Sequence, residues 1–294
     1  NETVTVDPVL YAALQKLSQN GGRYLYLAPV FAEYEAMFFG LNGSAHTEGY
    51  DPYTDGETAA HFADICAFLN SAEHIELKFF SDNKVELYLS DEYAAYAKEN
   101  EISRFIGFTW LKNAFIIDYF ADSLTARGYT AGTISSYDGF TRNLDVRGEK
   151  YRFNLFDRHG GTVYLAGSMN YDKPLSIVYF RDYKIGESDS AHYYQKTDGS
   201  FITPYIRESD GFYLNSVNNI VSYSSSLSCA DVALEMMSIY ISESFDTLRV
   251  NALREKDIYS VWGEDLSLYF NDPALTIDSL YQKDDAHYTV KFIN

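Results

Sequence analysis

The hydrophobic period of this chain changes near Gly128, and that change restricts the fold more than any other feature. Before it, residues 110–127 read WLKNAFIIDYFADSLTAR, with Ile116, Phe120 and Leu124 four apart. This spacing predicts a long core helix carrying those three side chains inward, closed by Gly128. After it, from Tyr129 to Ser226, short runs such as YRFNLFDR, TVYLAG, LSIVYF and NNIVSYSSS read mostly as strands. A chain that switches from period 3.6 to period 2 must pack helices against sheet.

The flanking segments agree. DPVLYAALQKLSQNGG (7–22) is an amphipathic helix entered through Asp-Pro and stopped by Gly21-Gly22. APVFAEYEAMFFG is a second helix and ETAAHFADICAFLN (57–70) a third. IELKFF and VELYLS, on either side of SDNK, form a hairpin over 75–90. A helix is expected over 228–242, and the tail (IYSVWG, LSLYFN, ALTIDSLY, HYTVKFI) is all strand. Residues 246–255 carry no clear period. With no fixed-period repeat and no Pro-rich linker, the expectation is one α+β domain over residues 1–294, its mostly antiparallel sheets covered by long helices.

Composition narrows the partners. Acidic residues outnumber basic ones 42 to 23, a net charge of −19. That balance argues against nucleic acid or an anionic membrane surface, since there is little positive field to release counterions. No run reaches the ~18 apolar residues of a membrane span. The 27 Tyr suit strands, stacking pockets and binding surfaces alike. Cys66 and Cys229 allow one disulfide at most and no zinc cluster.

The common catalytic signatures are absent: no G-x-G-x-x-G after a strand, no phosphate loop, no H-E-x-x-H, no G-x-S-x-G and no C-x-x-C. The six histidines are scattered without ligand spacing. His192, in the polar and aromatic stretch DSAHYYQKTDG, is the one with a site-like neighbourhood. DPYTDGE (51–57) lacks the alternating acids of a Ca²⁺ loop and reads as a solvated turn. Asn-Gly-Ser at 42–44 matches the glycosylation acceptor pattern. Within SSLSCADVALEMMS (225–238), Asp231 and Glu235 lie one turn apart on the same helix face. They read two ways: Ser228 with Asp231 is a capping box, or the two carboxylates are oxygen ligands for Mg²⁺.

In order along the chain, several segments resemble the ApbE family, Mg²⁺-dependent flavin transferases that move FMN from FAD onto a protein Thr or Ser. TVDPVLYAALQKLSQNGGRY looks like the family helix that leads into a Gly-Gly-x-Phe-Asp turn. FTWLKNAFIIDYFADSLTARGYTAGTISSYDGF is similar to its Lys-Gly helix and following Gly-Gly strand end. YKIGESDSAHYY and DGSFITPYIRESDG resemble its Ser-Gly strand and histidine turn. NNIVSYSSSLSCADVALEMMSIYIS resembles its Val-rich strand and Ala-Asp-x-x-x-Thr helix. The resemblance implies a single ApbE-like domain, lacking the family's N-terminal strand segment. It puts Asp231 on a metal-ligand position and Glu235 on the Thr four residues later. The chain departs from the family elsewhere. Tyr24-Leu25 replace Phe-Asp, Asn113-Ala114 replace Lys-Gly with Lys112 one residue away, Tyr137-Asp138 replace Gly-Gly, and Tyr205 and Glu208 replace the His and Asp of the histidine turn.

Bulky residues where a backbone must approach a nucleotide obstruct that approach. The first expectation is therefore a diverged ApbE-like protein without standard transferase activity, with a degenerate site that binds an altered, nucleotide-like small molecule in the former flavin cleft. Lys112, Tyr137, Asp138, His192 and Tyr205 would line it. The alternatives are an active transferase using Mg²⁺ on Asp231 and Glu235 with FAD, and an acidic Tyr-rich module that binds a glycan or a protein. Mg²⁺ and FAD are implied where the ancestral site survives, and no cofactor where it does not. An N-terminus at Asn1 and the family resemblance give the expectation of an extracytoplasmic protein, exported or lipid-anchored through a removed segment.

Overall fold

The computed structural model describes residues 2–39, 48–283 and 286–294; the Asn-Gly-Ser pattern at 42–44 lies outside them. The backbone packs as two compact units, one of residues 1–112 with 204–214, the other of residues 113–203 with 215–294.

Among the described residues, the first unit is a small antiparallel sheet with four α-helices. Strand β1 (Thr3–Thr5) pairs with one side of the hairpin that the alternation at 75–90 predicts, β2 (Ile75–Phe80) and β3 (Lys84–Leu89), and the sheet order is β1-β3-β2. Asp82 and Asn83 turn the hairpin with φ of 59° and 55°, the left-handed pair that matches strand twist. Helices α1 (Pro8–Asn20), α2 (Ala28–Met37) and α3 (Gly56–Leu69) fall where the periodicity puts them, and Asp7 and Asp55 cap α1 and α3. A fourth helix, α4 (Asp91–Glu99), was not read from the sequence. Aromatic side chains fill this unit. Tyr34 meets Phe38, Phe62 and Tyr213 within 6.3 Å, and Phe68 stacks on Tyr93 at 5.0 Å.

DPYTDGE is the turn expected, exposed at Tyr53, Thr54, Gly56 and Glu57, but its first acid is buried. Asp51 is 1% exposed and accepts hydrogen bonds from the Tyr53 amide (3.0 Å) and the Tyr213 hydroxyl (3.1 Å), so burial here is matched by partners.

The second unit begins with α5 (Lys112–Ala126), whose first residue closes the other unit's main segment. It continues through β4 (Thr133–Ser135), β5 (Phe140–Asn143), β6 (Tyr151–His159), β7 (Thr162–Tyr171), β8 (Leu175–Arg181), β9 (Tyr194–Gln195), β10 (Phe201–Ile202) and β11 (Asn219–Ser224). Then come α6 (Cys229–Tyr240), α7 (Thr247–Ala252), β12 (Tyr259–Glu264), β13 (Ser267–Phe270), β14 (Thr276–Asp278), β15 (Gln282–Lys283), β16 (Ala286–His287) and β17 (Thr289–Phe292). The main sheet runs β17-β13-β12-β11-β8-β5-β4, antiparallel except for β13 with β17. A second sheet, β14-β7-β6, covers one face of it; Leu155, Met169, Ile177, Tyr179, Val221 and Val261 form the core between them. Helix α6 lies on β8 and β11 from the opposite face. Both central strands are therefore buried along their whole length, and β8 reads as a largely apolar run rather than alternation. The expected α+β class with mostly antiparallel sheets is what the chain adopts.

One expectation fails. Helix α5 buries Ala114, Ile117, Asp118 and Ala121, and leaves Ile116 and Phe120 exposed, the latter by 52%. The reason is Asp118. Its carboxylate accepts from the Cys229 and Ala230 amides (2.9 and 2.8 Å) and pairs with Arg142 at 2.8 Å. Turning the helix to seat that acid at the N-terminus of α6, where the helix dipole favours a negative charge, puts the 116/120 stripe outward.

Candidate functional site

The two acids of the sequence argument lie on α6, just after the β11–α6 connection. Three serines there converge on one carboxylate. Ser224, Ser225 and Ser226 donate hydroxyls to Asp257 Oδ2 at 3.1, 3.0 and 2.8 Å, and the Ser225 amide adds a fourth bond at 3.1 Å. Ser228 then caps α6. Its Oγ accepts from the Asp231 amide at 3.2 Å and donates to Asp231 Oδ2 at 2.7 Å, while the Ser228 amide reaches the same oxygen at 3.3 Å. This is the capping box expected from the sequence. Glu235, one turn on, accepts from Lys256 Nζ at 2.7 Å. Among the described residues, no group of three His, Cys, Asp or Glu side chains is placed to hold a metal ion.

The turn between β4 and β5 holds the next pair. Tyr137 is 71% exposed. Asp138 Oδ2 accepts from Asn113 Nδ2 at 2.8 Å, so the positions that resemble the Gly-Gly strand end and the Lys-Gly pair are joined side chain to side chain. Oδ1 of Asp138 is buried with no hydrogen-bond partner among the described residues. The following residue has kept its glycine for a local reason. Gly139 has φ of 106°, and a Cβ there would stand 2.3 Å from the Tyr179 carbonyl oxygen. The Tyr179 amide meanwhile donates to the Gly139 carbonyl at 2.8 Å.

Arg181, which sequence reasoning missed, ties this turn to the stretch around His192. It is 2% exposed, pairs with Asp189 at 2.6 Å and donates to the Tyr137 carbonyl at 2.9 Å. The Tyr179 and Tyr193 rings each lie 5.2 Å from its guanidinium. Asp189 is held in turn by the Ile185 and Gly186 amides, at the start of the 3₁₀ turn Glu187–His192. A buried pair this well hydrogen-bonded fixes geometry more than it adds stability. Beside Arg181, Asp182 is buried and held by Arg158 (2.8 Å) and Asn215 (3.3 Å); burial pushes its carboxyl up to about 6 despite the guanidinium. The partners of Arg181 and Asp182 lie 8 and 24 residues away, too far for local pattern to show.

The remaining candidates belong to the first unit. Lys112 is exposed. Tyr205 is 2% exposed and meets Trp110 edge-on at 5.2 Å. Its neighbour Glu208 reaches the Gly21-Gly22 turn, accepting from the Arg23 amide at 3.0 Å. Two segments that resemble family turns, at 21–25 and 204–211, are thus in contact. Burial, with Glu208 second, raises the Tyr24 hydroxyl far above its ordinary value. Both cysteines are buried free thiols, and burial pushes Cys66 up to about 12.

No known family profile matches this sequence, and no curated protein does. Solved structures do. The ApbE protein of Thermotoga maritima aligns with 95% of this chain and 78% of its own at a TM-score of 0.62 and 10% identity. A mutant of the flavin transferase ApbE from Vibrio cholerae aligns with 95% of this chain and 76% of its own at 0.53 and 11%. The chain has an ApbE-like fold, a scaffold related to that of flavin transferases.

Proposed function

We propose that this protein keeps the ApbE-like scaffold without the standard flavin transfer, and uses the remodelled positions to bind a different small molecule. The hydrogen bond between Asn113 and Asp138 is the observation that carries this reading. Where the family resemblance calls for glycine and a close backbone approach, two side chains occupy the space and are joined by one hydrogen bond. Arg181 stiffens the same turn from beneath.

The residues at the metal position fit Mg²⁺ poorly. One oxygen of Asp231 is engaged by Ser228, and Glu235 already holds the Lys256 ammonium, a charge that a divalent cation would have to displace. No reaction step is therefore routed through metal or flavin. Tyr137, exposed beside a rigid turn, is the residue best placed to stack on a ligand ring. The fold likeness over nearly the whole length also supports treating residues 1–294 as one ApbE-like domain; an extracytoplasmic location is part of the proposal and rests on the family resemblance alone.

The test is a titration of FAD into the protein, with and without Mg²⁺, followed by flavin fluorescence and calorimetry. The expected result is no saturation up to about 500 µM, weaker than roughly −4.5 kcal/mol. Tight, Mg²⁺-dependent binding that vanishes in Asp231→Ala would overturn the reading and restore an active transferase. A second reading, a surface module for a protein or glycan partner, is favoured by the exposed Ile116, Tyr119 and Phe120 on α5. It calls for pull-down with the wild-type chain and with Phe120→Ser.

A further inference from the structure

The first unit contains a cavity of about 450 Å³ that none of the positions above touches. Helix α2, helix α3 and the segment after α4 line it, and its size is within the range of small-molecule sites. Two of its side chains are each anchored by a carboxylate and each keep an unused face. His61 Nε2 lies 2.9 Å from Glu33 Oε1, and the other oxygen of Glu33 accepts from the Tyr50 hydroxyl. A carboxylate partner fixes the imidazole's orientation and makes Nε2 the protonated nitrogen of the neutral ring. His61 Nδ1 then remains as an acceptor, with no protein partner among the described residues. Across the cavity, Arg104 Nη1 pairs with Glu35 at 2.8 Å. That contact occupies one corner of the guanidinium, while Nε and Nη2 keep the parallel fork that suits a second carboxylate. Glu101, with no ion-pair partner among the described residues, adds a negative charge to the wall, and Met37 and Ile102 supply an apolar surface.

We propose that this cavity is a binding site for a zwitterion of amino-acid size, with its carboxylate on the Arg104 fork and its ammonium toward His61 Nδ1 and Glu101. The juxtaposition of anchored guanidinium, anchored imidazole and the Glu101 carboxylate leads to this class. A simple anion would leave Glu101 repelling it, and a simple amine would leave the fork empty. The apolar lining favours an aliphatic side chain. This site is independent of the flavin question, since it shares no residue with the positions that resemble the family's.

Calorimetry with L-leucine as the probe tests it, alongside 3-methylbutylamine, which lacks the carboxylate, and 4-methylpentanoate, which lacks the ammonium. Leucine should bind, and each truncated compound should bind at least about tenfold more weakly. Arg104→Gln should lower leucine affinity by about tenfold without weakening the amine, and Glu101→Gln should lower leucine affinity by about tenfold without weakening the acid. Both side chains are exposed, so melting temperatures should not move and a folding defect is separable. The proposal is overturned by any of three results: no heat with leucine at about 10 mM, equal affinity for either truncated compound, or leucine binding unaltered in both variants.

Discussion

Asp182 gives this protein a specific acid-side signature. Its folded-state value is about 6 against an ordinary 3.8, because burial penalises the charged form more than Arg158 favours it. The folded chain thus binds this proton more tightly than the unfolded chain. Stability from the protonated form is complete below about pH 4 and is lost as pH rises through about 6, a span worth on the order of 3 kcal/mol. Asp182→Asn removes the dependence. Melts from about pH 4 to about pH 7 should therefore show the variant gaining on the parent as pH rises; a flat difference would contradict the assignment. At Gly139 the expectation is simpler. A methyl group would meet the Tyr179 carbonyl at 2.3 Å, and φ is positive. Gly139→Ala should cost at least about 2 kcal/mol in denaturant unfolding.

Among the elements, α5 separates pattern from packing. Its i, i+4 stripe of Ile116, Phe120 and Leu124 is the face a sequence reader chooses, and the helix turns it away because Asp118 caps α6. Ile117→Ala should then cost about 2–4 kcal/mol, while Phe120→Ser should stay within about 0.5 kcal/mol. Chemical denaturation of the two variants checks this. Ser228→Ala should cost about 1 kcal/mol through the lost cap of α6. Elements were legible where they bury a full stripe or alternate cleanly, as with α1, α3 and the β2–β3 hairpin. Helix α4 buries only Tyr93 and Ala97, and α7 only Val250, so neither leaves a period to read. In the candidate site, the capping box at Ser228 and Asp231 was readable because its parts are three residues apart. Arg181 and its ring partners were not, since the sheet and the Glu187–His192 turn bring them together.

At the scale of the whole molecule, a net charge of −19 makes self-repulsion a global term. Raising NaCl from about 20 mM to about 150 mM should raise the melting temperature, as the screening length shortens from roughly 20 Å to 8 Å. The order of segments was enough to suggest the fold although few individual motifs were kept, because a scaffold depends on burial pattern and chain order while a site depends on particular residues. The first unit is also discontinuous in sequence, and that has a consequence during synthesis. Tyr34 donates to the Gly211 carbonyl at 3.0 Å, and buried Asp51 accepts from Tyr213. Gly211 is made 177 residues after Tyr34, and Tyr213 162 residues after Asp51, which at roughly 5–20 residues per second is a delay of about 8–35 seconds. A nascent chain halted at residue 112 carries Tyr34 and Asp51 without those partners, and this half of the protein reaches its native packing only after residue 214 has left the ribosome.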